Sequence, residues 1–345
     1  MLNRMILFHA LLLLGCGSAQ PEVVRVERIV DETTTEAPPS SKAFPLSGQN
    51  VLFYNVENLF DTEYDAAIND RDFTPGSEQQ WTPERLNTKL EHLAKAIGFA
   101  GQELPVLIGV CEVENKAVVE RLANETKLKS AHYQVVHYDS PDERGIDVGL
   151  LFDTDIFALE RSEALNVPLN DDRTRDILHA ELAAGGHVFH VFVNHWPSRR
   201  EGSEKSEPKR MAAAQVLKSA VAQIAVDATT HVIIMGDFND TPNDRSIQEG
   251  LGAQCVTTTT GLVDLMCVDQ PEGHGSHQYN GHWDYLDQFI ISGELTTQVK
   301  EAKALWDDRL LFKHPKYGPS PDKTYSGGRY KGGYSDHLPI VLRFN

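Results

Sequence analysis

Acids, amides and histidines recur in this sequence beside apolar runs. Asn55 and Glu57 follow VLFY, Glu112 and Glu114 follow PVLIGVC, Asn194 and His195 close HVFHVFVNH, and Asp237 and Asn239 follow HVIIMG. Arg144 and Asp147 border GLLF, and Asp336 and His337 stand directly before LPIVLRF. Asp287 lies inside YLDQFII, where a carboxylate is costly unless paired or hydrogen-bonded. Carboxylates with asparagine oxygens suit hard cations such as Mg2+, Mn2+ or Ca2+, with water completing the shell. Histidines add proton transfer near neutral pH. Glu57 and Glu114 also have a plainer reading as solvated side chains. The sequence contains no CxxC, HExxH, GxSxG or P-loop, which argues against thiolate or zincin sites, serine hydrolases and NTPases.

These residues must be held by regular elements. Runs 51–54, 105–111, 133–138, 147–152, 177–182, 187–195, 231–237, 284–292 and 338–343 read as strands. Stretch 82–100 reads as a helix, with Thr82 at the N-cap, Pro83 in the first turn, and Leu86, Leu90, Leu93 and Ile97 on one face. Stretches 115–128 and 207–226 read as two more helices. Strands outnumber helices, so a mixed-sheet α/β architecture covered by a few helices fits better than a βαβ barrel.

The start of the chain reads as an export signal. Arg4 precedes an apolar run from Met5 to Leu14, too short to span a bilayer. Leu13-Leu14-Gly15-Cys16 matches a lipobox, which predicts a lipid anchor at Cys16; Gly17-Ser18-Ala19 would suit ordinary signal peptidase. The organisation expected is a lipoprotein-type signal over 1–16, a polar Pro/Thr-rich linker over 17–49, and one catalytic domain over 50–345. The protein would cross the inner membrane and stay at the cell envelope, or be periplasmic or extracellular, as a monomer. Cys255 and Cys267 could pair in such a compartment, although spacing alone does not prove it, and Cys111 reads as a buried apolar residue. The net charge of −18 over 345 residues argues against binding nucleic acid by bulk electrostatics. It also implies that a phosphate could enter an acidic site only with a cation.

The segments YNVENLF, CEVEN, RGIDVGLLF, NHWPSR, MGDFND, LDQFIIS and YSDHLPI, in that order, resemble the endonuclease/exonuclease/phosphatase superfamily, which includes pancreatic-type deoxyribonuclease and AP endonucleases. Within it, the resemblance is strongest to the secreted bacterial nuclease-like branch. The resemblance spans 50–345 and implies a four-layer α/β sandwich of two packed mixed β-sheets flanked by helices. It also implies a divalent-metal-dependent phosphodiester hydrolase using metal-activated water and histidine acid–base catalysis. Carried over by position, Glu112, Asn55 and Asp336 would hold Mg2+, Mn2+ or Ca2+. Asp237 and Asn239 would orient water and hold a phosphate oxygen. His337, oriented by Asp287, would contact the phosphate or act as base, and His195 would be the acid for the leaving oxygen. Arg144, Arg175 and Asn194 would contact substrate.

For the substrate, DNA or RNA is expected. Arg199, Arg200, Lys205, Lys209 and Arg210 follow His195, and Lys323, Arg329 and Lys331 precede Asp336, so a basic rim on an acidic body is anticipated. A sphingomyelinase would want an exposed aromatic or apolar hairpin for membrane docking, and no such run is evident. A lipid or small-molecule phosphoesterase of sphingomyelinase or inositol-phosphatase type is the alternative, followed by a lipid-anchored binding protein without catalysis. His274, His277 and His282 read as loop histidines in a Gly-rich segment. Trp196 and Trp283 adjoin site motifs and could stack a base or sugar.

Overall fold

The computed structural model describes residues 43–170, 172–267 and 273–345. The signal segment 1–16, with Cys16, and nearly all of the expected linker lie outside them. Among the described residues no helix is long and apolar enough to cross a membrane.

Eleven strands carry most of the fold. β1 (Asn50–Leu59), β2 (Leu107–Val113), β3 (Tyr133–His137) and β4 (Asp147–Asp153) belong to the first sheet. Its order is Val299–Ala304, Ile340–Phe344, β1, β2, β4, β3. β5 (Ala158–Leu165), β6 (Ile177–Ala184), β7 (His187–His195) and β8 (Thr230–Asp237) lead the second. There the order continues from β8 to Asp287–Ser292 and then to two short strands at Leu262–Asp264 and Ala253–Gln254. Each sheet has a parallel pair at its middle, β1 with β2 and β7 with β8. Antiparallel strands flank both pairs. The carboxyl ends of four central strands therefore meet the amino ends of their antiparallel neighbours along one edge.

The central strands read as unbroken apolar runs because both of their faces are covered. Phe53, Cys111, Phe152, Phe189, Met235, Phe289 and Ile340 fill the space between the sheets. Alternate residues of β1 and β2, such as Leu52, Tyr54, Ile108 and Val110, pack beneath α1 (Pro83–Gly98) and α2 (Lys116–Ala123). Phe192, Val232 and Ile234 pack beneath α3 (Ser203–Val221). The result is the expected four-layer α/β sandwich. The sheets touch closely at Gly109, where a Cβ would lie 2.5 Å from Met235 Sδ.

Thr82 caps α1 by accepting from Arg85 N. α3 begins at Ser203, four residues earlier than its apolar pattern suggests, so much of the basic stretch after His195 is helix rather than loop. Phe44 and Leu46 already pack into the core, Phe44 against Phe189 and Phe344, so the folded body begins before Asn50. Cys255 and Cys267 form a disulfide, and Cys111 is a buried free thiol.

Candidate active site

Strand register builds the centre. His195, Asp237 and Asp287 are directly paired across β7, β8 and the strand Asp287–Ser292, so one row brings three expected residues together. From the first sheet, Asn55 on β1 reaches across and donates through Nδ2 to Asp237 Oδ2 at 3.0 Å. Asn55 Oδ1 accepts from Glu57 N, which fixes the amide's orientation. Ser335 ties the segment before the last strand to β1: its hydroxyl donates to Asn55 O at 2.6 Å and accepts from His337 N at 3.3 Å.

His337 lies beneath the surface with its Nδ1 2.7 Å from Asp287 Oδ2 and its Nε2 3.8 Å from Asp237 Oδ2. His195 Nε2 approaches the same Asp237 oxygen at 3.8 Å and Glu112 Oε1 at 4.0 Å. Two imidazoles thus address one carboxylate. Their charge states differ. Burial disfavours the cationic form of His337, but Asp287 and then Asp237 outweigh it and hold the group at about 10. Burial, reinforced by Arg175 and Arg144, pushes His195 well below the ordinary histidine value. Burial also raises Asp237 to about 7, with His337 opposing that rise. The two imidazoles thus differ in preference, His337 towards the cation and His195 towards the neutral form.

Glu112 stands out by its backbone. It sits at φ 62° where the pairing of β2 with β4 slips between Cys111 and Val113, a bulge that swings its carboxylate away from the sheet. Asn58 N donates to its Oε2 at 3.1 Å, while Oε1 accepts no hydrogen bond among the described residues and lies 4.0 Å from Arg144 Nη2. Glu57, Asn58 and Asn239 are also left-handed, at φ 50°, 53° and 51°. Such conformations cost free energy in non-glycine residues and cluster where function demands them.

Asp336 accepts no hydrogen bond among the described residues. Burial works against its charge, but His337 and Lys323 outweigh that and keep its carboxyl below the usual range. Its oxygens lie within 4.8 Å of ligand atoms of His277 and His337, and Asp237, Asp287 and His337 form a second such group. A carboxylate oxygen of Glu112 and the carboxylate of Asp336 thus accept no hydrogen bond among the described residues, whereas the amide oxygen of Asn55 accepts from Glu57 N. This oxygen-rich donor set fits a hard divalent cation.

Two expected substrate contacts are committed to the scaffold instead. Arg175 is buried, with Nε donating to His195 O at 3.1 Å, Nη2 to Trp196 O at 2.6 Å and Nη1 to Asp142 Oδ2 at 2.9 Å. Its charge is answered by Asp142, so it braces the end of β7 and has no donor turned to a phosphate in this arrangement. Asn194 is fully buried, donating to Met235 O and accepting from Trp196 Nε1. Asn239 Nδ2 donates to Trp196 O and its backbone N to Asp237 Oδ1, so it faces the pocket only in part. Trp196 and Trp283 are core residues, which removes them as stacking platforms.

Sequence reasoning passed over several residues that the fold brings here. His277, expected as a loop histidine, pairs backbone to backbone with His337 and packs its ring 4.7 Å from that imidazole. Lys89 of α1 is buried and donates to Thr324 Oγ1 and Tyr334 O, with Glu57 and Asp336 acting on its charge. Glu57 accepts from Thr324 N and Tyr325 N and anchors that segment. Glu114 accepts from Asp61 N and is turned elsewhere. In sequence, Lys89 looked like any polar residue of a helix, and nothing distinguished His277 from its neighbours.

The anticipated basic rim after His195 is largely neutralised. Arg199 pairs with Asp240 and Asp244, Lys209 with Asp172 and Glu201, Lys205 with Glu201, and buried Arg210 with Asp240.

The fold resembles several solved structures. Humanised Danio rerio TDP2 shares 16% identity at a TM-score of 0.54, covering 86% of this chain and 98% of that one. A mannosyl-6-phosphatase from Bacteroides thetaiotaomicron shares 14% at 0.54, covering 86% and 99%. Truncated Caenorhabditis elegans TDP2 shares 17% at 0.53, covering 87% and 99%. No curated protein matches the sequence at a significant level. The model of the Endonuclease/Exonuclease/phosphatase family matches residues 50–345. With that match over most of its length, and a fold shared with these hydrolases, the chain is a member of the endonuclease/exonuclease/phosphatase family.

Proposed function

We propose that the protein is a divalent-metal-dependent phosphodiesterase that cleaves nucleic acid strands. The observation that carries this reading is the pair of imidazoles on either side of Asp237, each 3.8 Å from its Oδ2. A cationic His337, locked in one orientation by Asp287, is suited to hold or protonate a phosphoryl or leaving oxygen. A neutral His195 beside Asp237 is suited to take a proton from water. Acid–base catalysis of this kind contributes roughly 10²–10⁴-fold. Glu112, Asp336 and Asn55 would hold the cation, which would neutralise phosphate charge and polarise the P–O bond. Arg144, 4.0 Å from Glu112, remains the arginine suited to a phosphate oxygen.

Export, lipid attachment at Cys16 and a monomeric state belong to the same proposal. The decisive experiment incubates the protein with supercoiled plasmid, bis(4-nitrophenyl) phosphate and mannose 6-phosphate, with Mg2+, Mn2+ or Ca2+ and after chelation. Nicking and diester hydrolysis that vanish on chelation are expected. Hydrolysis of the sugar monoester alone, or full diesterase activity after chelation, would overturn the reading.

A further inference from the structure

Two clefts flank the catalytic centre, and they differ in chemistry. The cleft beside Arg144, of about 640 Å³, is lined by Asp61, Glu63, Asp65, Asp139 and Glu143 with Arg173, and its charge repels a phosphate backbone. The other, of about 700 Å³, lies beyond His277 and is lined by Tyr279, Phe312, His314, Tyr317, Lys323 and Lys331 among others. Three hairpins enclose it: His277–Tyr279 with His282–Asp284, Leu311–His314 with Gly318–Pro321, and Tyr325–Ser326 with Arg329–Tyr330. They form a braced unit. Gln278 Nε2 donates to Tyr317 O at 3.3 Å, and Lys331 N to Thr324 O at 2.8 Å.

The cleft joins the centre through short links. Gln278 follows His277, whose ring packs on His337, and Lys323 precedes Thr324, whose backbone is held by Glu57. Its aromatic rings are unusually open: Tyr279 is 71% exposed and Phe312 51%. His314 stacks on Tyr317 at 4.9 Å, and Phe312 meets His314 edge-on. Lys323 and Lys331 form no ion pair among the described residues, unlike the cations after His195. Flat rings beside Lys331 and beside Lys323, whose charge also acts on Asp336, continuous with a phosphate-handling centre, match a ligand that alternates flat bases with negative charge.

Building on the phosphodiesterase reading, we propose that this cleft seats the nucleotide adjoining the scissile phosphate, on an unpaired strand. The base stacks against Tyr279 and Phe312, and Lys331 pairs with the next phosphate. A fully paired duplex cannot offer these rings a base face, so the cleft selects unpaired segments, including those that negative supercoiling opens in a plasmid.

The test reads binding apart from catalysis: anisotropy of fluorescein-labelled oligothymidylate eight nucleotides long, with the intact protein in EDTA. Stacking on aromatic side chains supports roughly tenfold or more in affinity per base. Tyr279→Ser with Phe312→Ser is therefore expected to weaken binding at least about tenfold. Both side chains are exposed, so thermal unfolding should be unchanged. Lys331→Gln is expected to lower the slope of log affinity against log salt by about 0.7. Unchanged affinity in the double variant overturns the cleft assignment. So does wild-type protein that hydrolyses bis(4-nitrophenyl) phosphate yet fails to bind the oligonucleotide, a result that leaves the diesterase standing. Binding lost in the double variant, with no metal-dependent hydrolysis of any diester, supports the cleft and overturns the diesterase reading instead. Weaker sedimentation of the double variant with phosphatidylglycerol vesicles, its oligonucleotide affinity intact, would assign the surface to a membrane.

Discussion

Asp287→Asn tests whether one buried carboxylate sets the state of His337. Asp287 is wholly buried, its Oδ2 lies 2.7 Å from His337 Nδ1, and its Oδ1 has no hydrogen-bond partner among the described residues. A histidine lifted from 6.5 to about 10 favours its charged form by roughly 5 kcal/mol. Opposite charges about 4 Å apart at an effective dielectric near 20 interact by about 4 kcal/mol, so Asp287 alone can supply most of this. Asparagine preserves the volume and an accepting oxygen but removes the charge. His337 should then titrate much nearer the ordinary histidine value. The sign for stability follows: the coupling is present in full below about 6.5 and is lost as pH rises through about 10, and Asp287→Asn removes most of that dependence. The assay is imidazole nitrogen NMR on metal-free protein, alongside kcat for a small aryl phosphodiester, which should fall about 10²–10⁴-fold. Asp287→Asn combined with His337→Ala should be little worse than His337→Ala alone, because the two act as one unit. A His337 that still titrates near ten in Asp287→Asn, or losses that multiply in the double variant, would refute the reasoning.

Arg175→Gln should destabilise the fold by up to about 3 kcal/mol, because it removes the 2.9 Å partner of buried Asp142 and leaves it only Arg144 Nε at 3.9 Å. Calorimetry checks this, and a wild-type melting temperature would restore Arg175 as a free substrate contact. Asp264 is buried with Oδ2 unpartnered, and burial lifts its carboxyl from 3.8 to about 7. The folded state thus keeps a proton that the unfolded chain releases, so stability falls as pH rises between those values. Asp264→Asn should flatten that fall in urea unfolding compared at about pH 5 and about pH 8; an unchanged gradient would sink the assignment. Fatty-acid labelling in the native host should mark the protein and be lost in Cys16→Ser, whereas a mature soluble form beginning at Gln20 would indicate ordinary signal cleavage.

What the sequence revealed depended on how each feature is encoded. Central strands were legible because burial on both faces leaves long apolar runs, as in β7 and β8. The residues ending those runs were legible for the same reason, and the fold gathers Asn55, Glu112, His195, Asp237, Asp287 and His337 at one edge. β5 and the strand Val299–Ala304 were missed because they are edge strands with exposed charged faces, ALERSEAL and VKEAKA. The short hairpins of the second cleft lack enough residues for any period to emerge. Pairing of charges was the least legible feature. Arg199 and Arg210 look free in sequence, yet Asp240, some thirty to forty residues away, neutralises both in the fold. Of the two basic stretches, the one after His195 is thus largely paired, whereas Lys323 and Lys331 before Asp336 form no ion pair among the described residues.

The strand Ile340–Phe344 sits inside the first sheet, between β1 and Val299–Ala304, not at its margin. It follows that the first strand waits for a partner nearly three hundred residues further along the chain, and long closures of this kind slow folding. The same closing stretch carries Ser335, Asp336 and His337 into place. Until it has been synthesised and inserted, a nascent chain has neither a finished sheet nor a working centre, so hydrolysis is withheld until the final step of folding.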